Sequence, residues 1–161
     1  MNQNNKVVFI THAAMIAAIY VVLTYIFRPI SFGEIQVRIA EALTILPYFT
    51  PAAIPGVFIG CFIGNLIGGA ALWDIVFGSL ASLIGCIITY KLRSNKYLAP
   101  VGPIAANSII IPFILRFTYG VPLPIWVMMI SVGIGEVLSA GVLGMILLFT
   151  LSRYQTVIFH K

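Results

Sequence analysis

Charge is what this chain has least of. Of its 161 residues only 8% are charged, and just four are acidic. A soluble domain carries about 25% charged residues, so the side chains that would clothe a water-facing surface are missing. That excludes a water-soluble enzyme and a nucleic-acid binder, despite an isoelectric point near 9.5. Cysteine is scarce too: Cys61 and Cys86 lie in separate apolar runs without CxxC spacing and read as small packing residues. Histidine is limited to His12 and His160, each near a chain end and distant in sequence from the intramembrane acids. A zinc site or a histidine-based nucleophile relay has no constellation to rest on. Neither a GxxxxGKS or GxxxxGKT loop nor an HExxH or GxSxG motif occurs. The chain is therefore expected to hold no cofactor and to hydrolyse no ATP itself; active transport would need a partner or an ion gradient.

Apolar runs, in contrast, dominate: 61% of residues are hydrophobic and the mean hydropathy is +1.09. A membrane-spanning helix takes about 20 residues, so six would use roughly 120 and leave about 40 for loops and tails, with no room for a second domain. Turn signals divide the chain into segments at 8–27, 37–50, 52–67, 72–90, 98–115 and 125–151. The expectation is an all-α polytopic membrane helix bundle, one domain over 1–161 with six transmembrane helices. The first apolar run, Val7 to Phe27, exceeds the roughly 7–15 residues of a signal-peptide core and reads as a retained helix. The second segment is short, about 21 Å as an α-helix, and Pro47 should kink it. Either that helix stays short or the preceding loop 28–36 dips into the protein, where irregular backbone is tolerated only against protein or a wet cavity.

Loop charges orient the bundle. With both termini in the cytoplasm, that face receives Lys6, Lys91, Arg93, Lys96, Arg153 and Lys161, and the outside receives Arg28, Arg38 and Arg116. No internal repeat relates the two halves. Small residues recur at four-residue spacing in Gly56, Gly60, Gly64 and Gly68, again in Gly78, Ser82 and Cys86, and in Ala140 and Gly144. Such stripes let helices approach closely in lipid and signal a tightly packed bundle. Ala13, Ala14, Ala17 and Ala18 form two overlapping AxxxA pairs in the first segment; this patch either packs inside the bundle or docks another subunit.

Ionisable groups at membrane depth cost about 2.5–3.5 kcal/mol each on insertion scales, which makes them functional candidates by default. The candidates are Arg38, Glu41, Asp74 and Glu136, with the uncharged Asn65 and Asn107. Arg38, Glu41, Asn65 and Asp74 come from three segments and converge on the outer half. Glu136 lies about 16 Å into the last segment, near the midplane, with Asn107 equally central. Arg38 and Glu41, three apart, are placed to pair on one helix face. Tyr48, Trp73, Tyr119 and Trp126 stand around the rim, where an interfacial aromatic belt is the plain reading for the last three. Three acids and two amides against few internal cations suit a ligand with positive charge or several N–H donors. A planar heterocycle with an amidine-like edge and an amine arm meets both demands, and apolar aromatic walls would suit its faces. Glu136 either meets that ligand from below or serves the bundle as a buried, protonated acid.

The string Gly33-x-x-Gln36-x-Arg38-x-x-Glu41-Ala42-Leu43, followed by Leu46-Pro47, resembles the QueT-type family of substrate-binding S components of energy-coupling factor (ECF) transporters. The resemblance runs on through Gly56, Gly60-Cys61, Asn65, Asp74 and Gly78-Ser79 and covers about residues 7–152, with Ala40 standing where Ser is expected. It implies a ligand, a 7-deazaguanine queuosine precursor in its aminomethyl form. It also implies partners: a transmembrane coupling subunit, contacted through Ala13, Ala14, Ala17 and Ala18, and two ATPase subunits. S components of this kind capture substrate outside and topple in the membrane to release it inside. Glu41 and Asp74 would then be carboxylate contacts, Asn65 and Asn107 amide contacts, and Arg38 the orienter of Glu41. An S component for another heterocycle and a stand-alone carrier or channel are the competing readings.

Overall fold

A computed structural model describes residues 3–31 and 37–155. The quoted Gly33 and Gln36, and the terminal His160 and Lys161, lie outside those residues. Helices follow one another in the order α1 (Gln3–Ile26), a short α2 (Arg28–Ser31), a 3-10 helix (Ile39–Tyr48), α3 (Ala53–Gly68), α4 (Leu72–Lys91), α5 (Val101–Phe117), α6 (Ile125–Glu136), a π-helical stretch (Val137–Leu143) and α7 (Gly144–Ser152). Four stretches are long and apolar enough to cross a membrane, namely Gln3–Ile26, Leu72–Lys91, Lys96–Phe117 and Ile125–Ser152; Ile39–Tyr48 and Ala53–Gly68 are shorter apolar helices. The protein is an all-α membrane helix bundle. Its ends are chemically distinct: Trp73, Tyr119 and Trp126 mark one, and Lys91, Arg93 and Lys96 the other.

The expected small-residue stripe of α3 is the seat of α1. A Cβ added at Gly60 would stand 2.7 Å from the Tyr20 Cβ and 3.0 Å from the Ala17 carbonyl oxygen, so the two backbones meet only because Gly60 has no side chain. This packing divides the alanine patch. Ala17 is buried and Ala13 half-buried against α3, whereas Ala14 and Ala18 face outward. Beyond its polar first turn, the outward surface of α1 is mainly apolar, with Val7, Ile10, Val22 and Ile26 exposed, as lipid requires.

The second segment departs from expectation in kind. It is not a kinked α-helix but a 3-10 helix whose Ala40 to Pro47 are all buried. Its larger rise, about 2.0 Å per residue against 1.5 Å, carries ten residues about 20 Å through the bundle rather than about 15 Å. Pro47, which lacks an N–H, sits near its end, and Arg38 precedes it in extended conformation. Along its length the helix packs against α1, α4, α7 and the π-helical stretch. That stretch begins directly after Glu136. Its wider turn departs from the 3.6-residue period and re-aims the side chains around it, a device frequent at functional sites.

Candidate functional site

The six polar candidates are all buried: Arg38, Glu41, Asn65, Asp74, Asn107 and Glu136 each expose 6% or less. Tertiary packing brings them into two adjoining networks. The first lies toward the tryptophan end. Arg38 Nη2 stands 3.5 Å from Asp74 Oδ2, and Arg38 Nη1 donates to Asn65 Oδ1 at 3.4 Å. Asn65 Nδ2 donates in turn to the Asp74 carbonyl at 3.4 Å. From the loop after α5, Tyr119 donates its phenol to Asp74 Oδ2 at 3.1 Å while accepting from the Ala71 N–H at 3.0 Å. Partial burial raises the Tyr119 phenol above its ordinary pKa, with Asp74 adding to the rise, so it remains a donor. Gly78 makes room for this carboxylate, since a Cβ there would lie 2.8 Å from Asp74 Oδ1.

The second network is centred on Glu41, at the start of the 3-10 helix. Tyr20 of α1 donates its hydroxyl to Glu41 Oε1, and Ser82 of α4 donates to the same oxygen at 3.0 Å. Asn107 of α5 reaches Glu41 Oε2 through a long 3.5 Å contact and also lies beside the Glu136 carboxyl. Cys61 lies at the edge, where Ser82 and Asn65 each approach its sulfur at 3.6 Å. One carboxylate thus ties α1, α4 and α5 to the 3-10 helix.

Several expectations change here. The ion pair that the structure displays for Arg38 is with Asp74, not with Glu41 three residues on. The reason is local: Arg38 precedes the helix with φ −93° and ψ 97°, so the helical three-residue neighbour rule does not govern it. Ser82, read as a packing residue, is a hydrogen-bond donor to the central acid. Tyr119 is more than a belt residue, although Trp73 and Trp126, 59% and 65% exposed, fit the belt. Tyr48 lies at the opposite end, beside Lys91 and Arg93, because its segment runs through the bundle. Tyr20, whose hydroxyl donates to Glu41, carried no signal beyond that of a tyrosine in an apolar run. A groove of about 550 Å³ lined by Trp73, Phe77, Phe113 and Phe117 among others lies on the apolar outer faces of α4 and α5, and none of the six polar candidates lines it.

The buried polar atoms are not all satisfied. Among the described residues Asp74 Oδ1, Glu136 Oε2 and Ser139 Oγ have no hydrogen-bond partner, and an unpaired buried acceptor costs about 1–3 kcal/mol, more when charged. Ionised, the three acids outnumber Arg38 by two charges. Carboxylate oxygens are acceptors alone, so Asp74 Oδ1 and an ionised Glu136 leave acceptor capacity and negative charge in the cluster.

A lipid-facing helix bundle closed around a buried polar cluster is the architecture of a membrane transport protein. The chain belongs to the QueT transporter family, whose model matches residues 10–153. It is 35% identical over 85 residues to a protein of Lactococcus lactis subsp. cremoris (strain MG1363) named Queuosine precursor transporter QueT. That alignment covers 51% of this chain and 49% of the relative, about half of each. No solved structure matches the chain.

Proposed function

We propose that this chain is the substrate-binding membrane subunit of an ECF-type importer, capturing a queuosine precursor, a 7-deazaguanine in its aminomethyl form, from outside the cell membrane. Family membership and the name of the Lactococcus relative support the class. One observation carries the chemistry: Asp74 Oδ1 and Glu136 Oε2 are buried acceptors without partners among the described residues, beside the amides of Asn65 and Asn107. The guanine-like edge presents adjacent N–H donors, and the aminomethyl arm brings positive charge and further donors. Desolvated charge-assisted hydrogen bonds are the strong ones. In this reading Asp74 and Glu136 contact the ligand, Asn65 and Asn107 frame it, Arg38 holds Asp74, and Glu41 organises the cluster. Six spans with both termini in the cytoplasm place the Arg38–Asp74 network toward the outside.

ATP hydrolysis then belongs to two separate ATPase subunits, coupled through a transmembrane partner. The outward Ala14 and Ala18 are the docking positions, with Ala13 and Ala17 setting the helix beneath them. Replacing Ala14 or Ala18 by Leu should abolish co-purification with the coupling subunit and leave ligand affinity intact; loss of ligand binding instead would put the stripe in the bundle core.

The substrate claim is tested by denaturing purified protein and searching the released small molecules by mass, then titrating the deazapurine into ligand-free protein. Asp74→Asn and Glu136→Gln should each weaken binding about tenfold or more. Recovery of no deazapurine, with no binding on addition, sinks the claim. A stand-alone carrier predicts uptake into liposomes holding this chain alone, without ATPase.

A further inference from the structure

Far from the acids, at the lysine end, a cavity of about 390 Å³ is lined by Tyr48, Lys91, Arg93, Ser94 and Gln155. Two of these carry positive charge, and the hydroxyls and the amide of the other three can all donate. The acids among the described residues are Glu41, Asp74 and Glu136, all buried in the site above, so none neutralises this cavity. Arg93 is held with its guanidinium 4.2 Å from the centre of the Tyr90 ring, which restricts it before any ligand arrives. The lining comes from the end of the 3-10 helix, the end of α4 and the turn after it, and the residues after α7.

The surface leading to the cavity identifies the ligand class. Lys91 ends α4 on the same face as Leu80, Ile84 and Ile87, which are 36%, 43% and 38% exposed. Spacings of three and four place these side chains one above another. An apolar, lipid-facing stripe therefore runs straight into a donor-rich cationic cavity. One kind of molecule matches both parts: acyl chains along the stripe and a phosphodiester in the cavity, where guanidinium and ammonium groups bind phosphate oxygens well. The geometry points to a site for the headgroup of an anionic phospholipid, formed by Lys91 and Arg93 with Tyr48, Ser94 and Gln155. The site is independent of the transported ligand.

Native mass spectrometry of the full chain released from detergent, titrated with phosphatidylglycerol, phosphatidylcholine or inorganic phosphate, tests this. Phosphatidylglycerol should be retained in preference to phosphatidylcholine. Lys91→Gln should lower its retention about fivefold, and Lys91→Gln with Arg93→Gln roughly 25-fold, following the usual contribution of each basic residue near a lipid surface. Lys96→Gln is the control: its ammonium lies over the Tyr97 and Phe149 rings and outside the cavity lining, so retention should not change. Equal retention of the two lipids overturns the proposal, as does an equal loss in Lys96→Gln, which would reveal mere net charge. Inorganic phosphate binding as tightly through the same two residues would make this a soluble-anion site. A double variant that keeps the lipid but loses a co-purifying subunit would make it a protein contact.

Discussion

Glu41 and Asp74 are both buried carboxylates, yet their surroundings differ. Glu41 receives donors from α1, α4 and α5, two of them on one oxygen. Asp74 spends a single oxygen on Arg38 and Tyr119 and leaves Oδ1 without a partner among the described residues. A carboxylate whose lone pairs are taken up by the protein ties helices together; one with an idle oxygen has acceptor capacity left over, which the proposed function assigns to the ligand. Under the proposed function the contrast would divide architecture from recognition within one cluster, with Asn107, which lies between Glu41 and Glu136, at the boundary.

Substitutions can break this contrast. The largest effect is expected from Arg38→Ala, which strips Asp74 of its buried cation. Removing one partner of such a pair costs about 3–5 kcal/mol, seen as a lowered unfolding midpoint in detergent, and adding Asp74→Asn should restore part of the loss. If the double variant is no better than the single one, the Arg38–Asp74 pair is not what holds the network at the tryptophan end. Next comes Tyr20→Phe, which keeps the ring and removes a donor from Glu41 Oε1, at about 1.5–3 kcal/mol for a hydrogen bond to a charged group. Its cost should shrink in a Glu41→Gln background; an unchanged cost would place the role of Tyr20 in packing alone. Smallest is Tyr119→Phe, about 1 kcal/mol, since Tyr119 is 45% exposed and water can replace its bond. A loss as large as that of Tyr20→Phe would show the Tyr119 loop to be a structural part of the cluster.

Much of the helix pattern was legible in the chain. The segments at 72–90 and 125–151 correspond to Leu72–Lys91 and to the Ile125–Ser152 stretch, because polar and proline-rich turns interrupt runs that lipid demands be apolar. The six polar candidates were also legible, since a charge among apolar residues stands out. Their partners were not. Helices apolar all round carry no periodic signal of which face points inward, so neither Tyr20 nor Ser82 could be told from its lipid-facing neighbours. The hydrogen bonds that matter join residues 21, 41 and 66 positions apart. Nor does apolarity separate α from 3-10 or π geometry, which depends on the distance a segment must span and on what packs beside it.

The scarcity of charge thus determined, by itself, that this protein lives in a membrane as a helix bundle, because solvation energies depend on composition. It also singled out the residues whose burial needs a reason. Which acid is occupied and which retains an idle oxygen was decided only when the helices packed. Hydrogen bonding depends on direction and on distances of about 3 Å, and both arise from close approaches such as Tyr20 over Gly60.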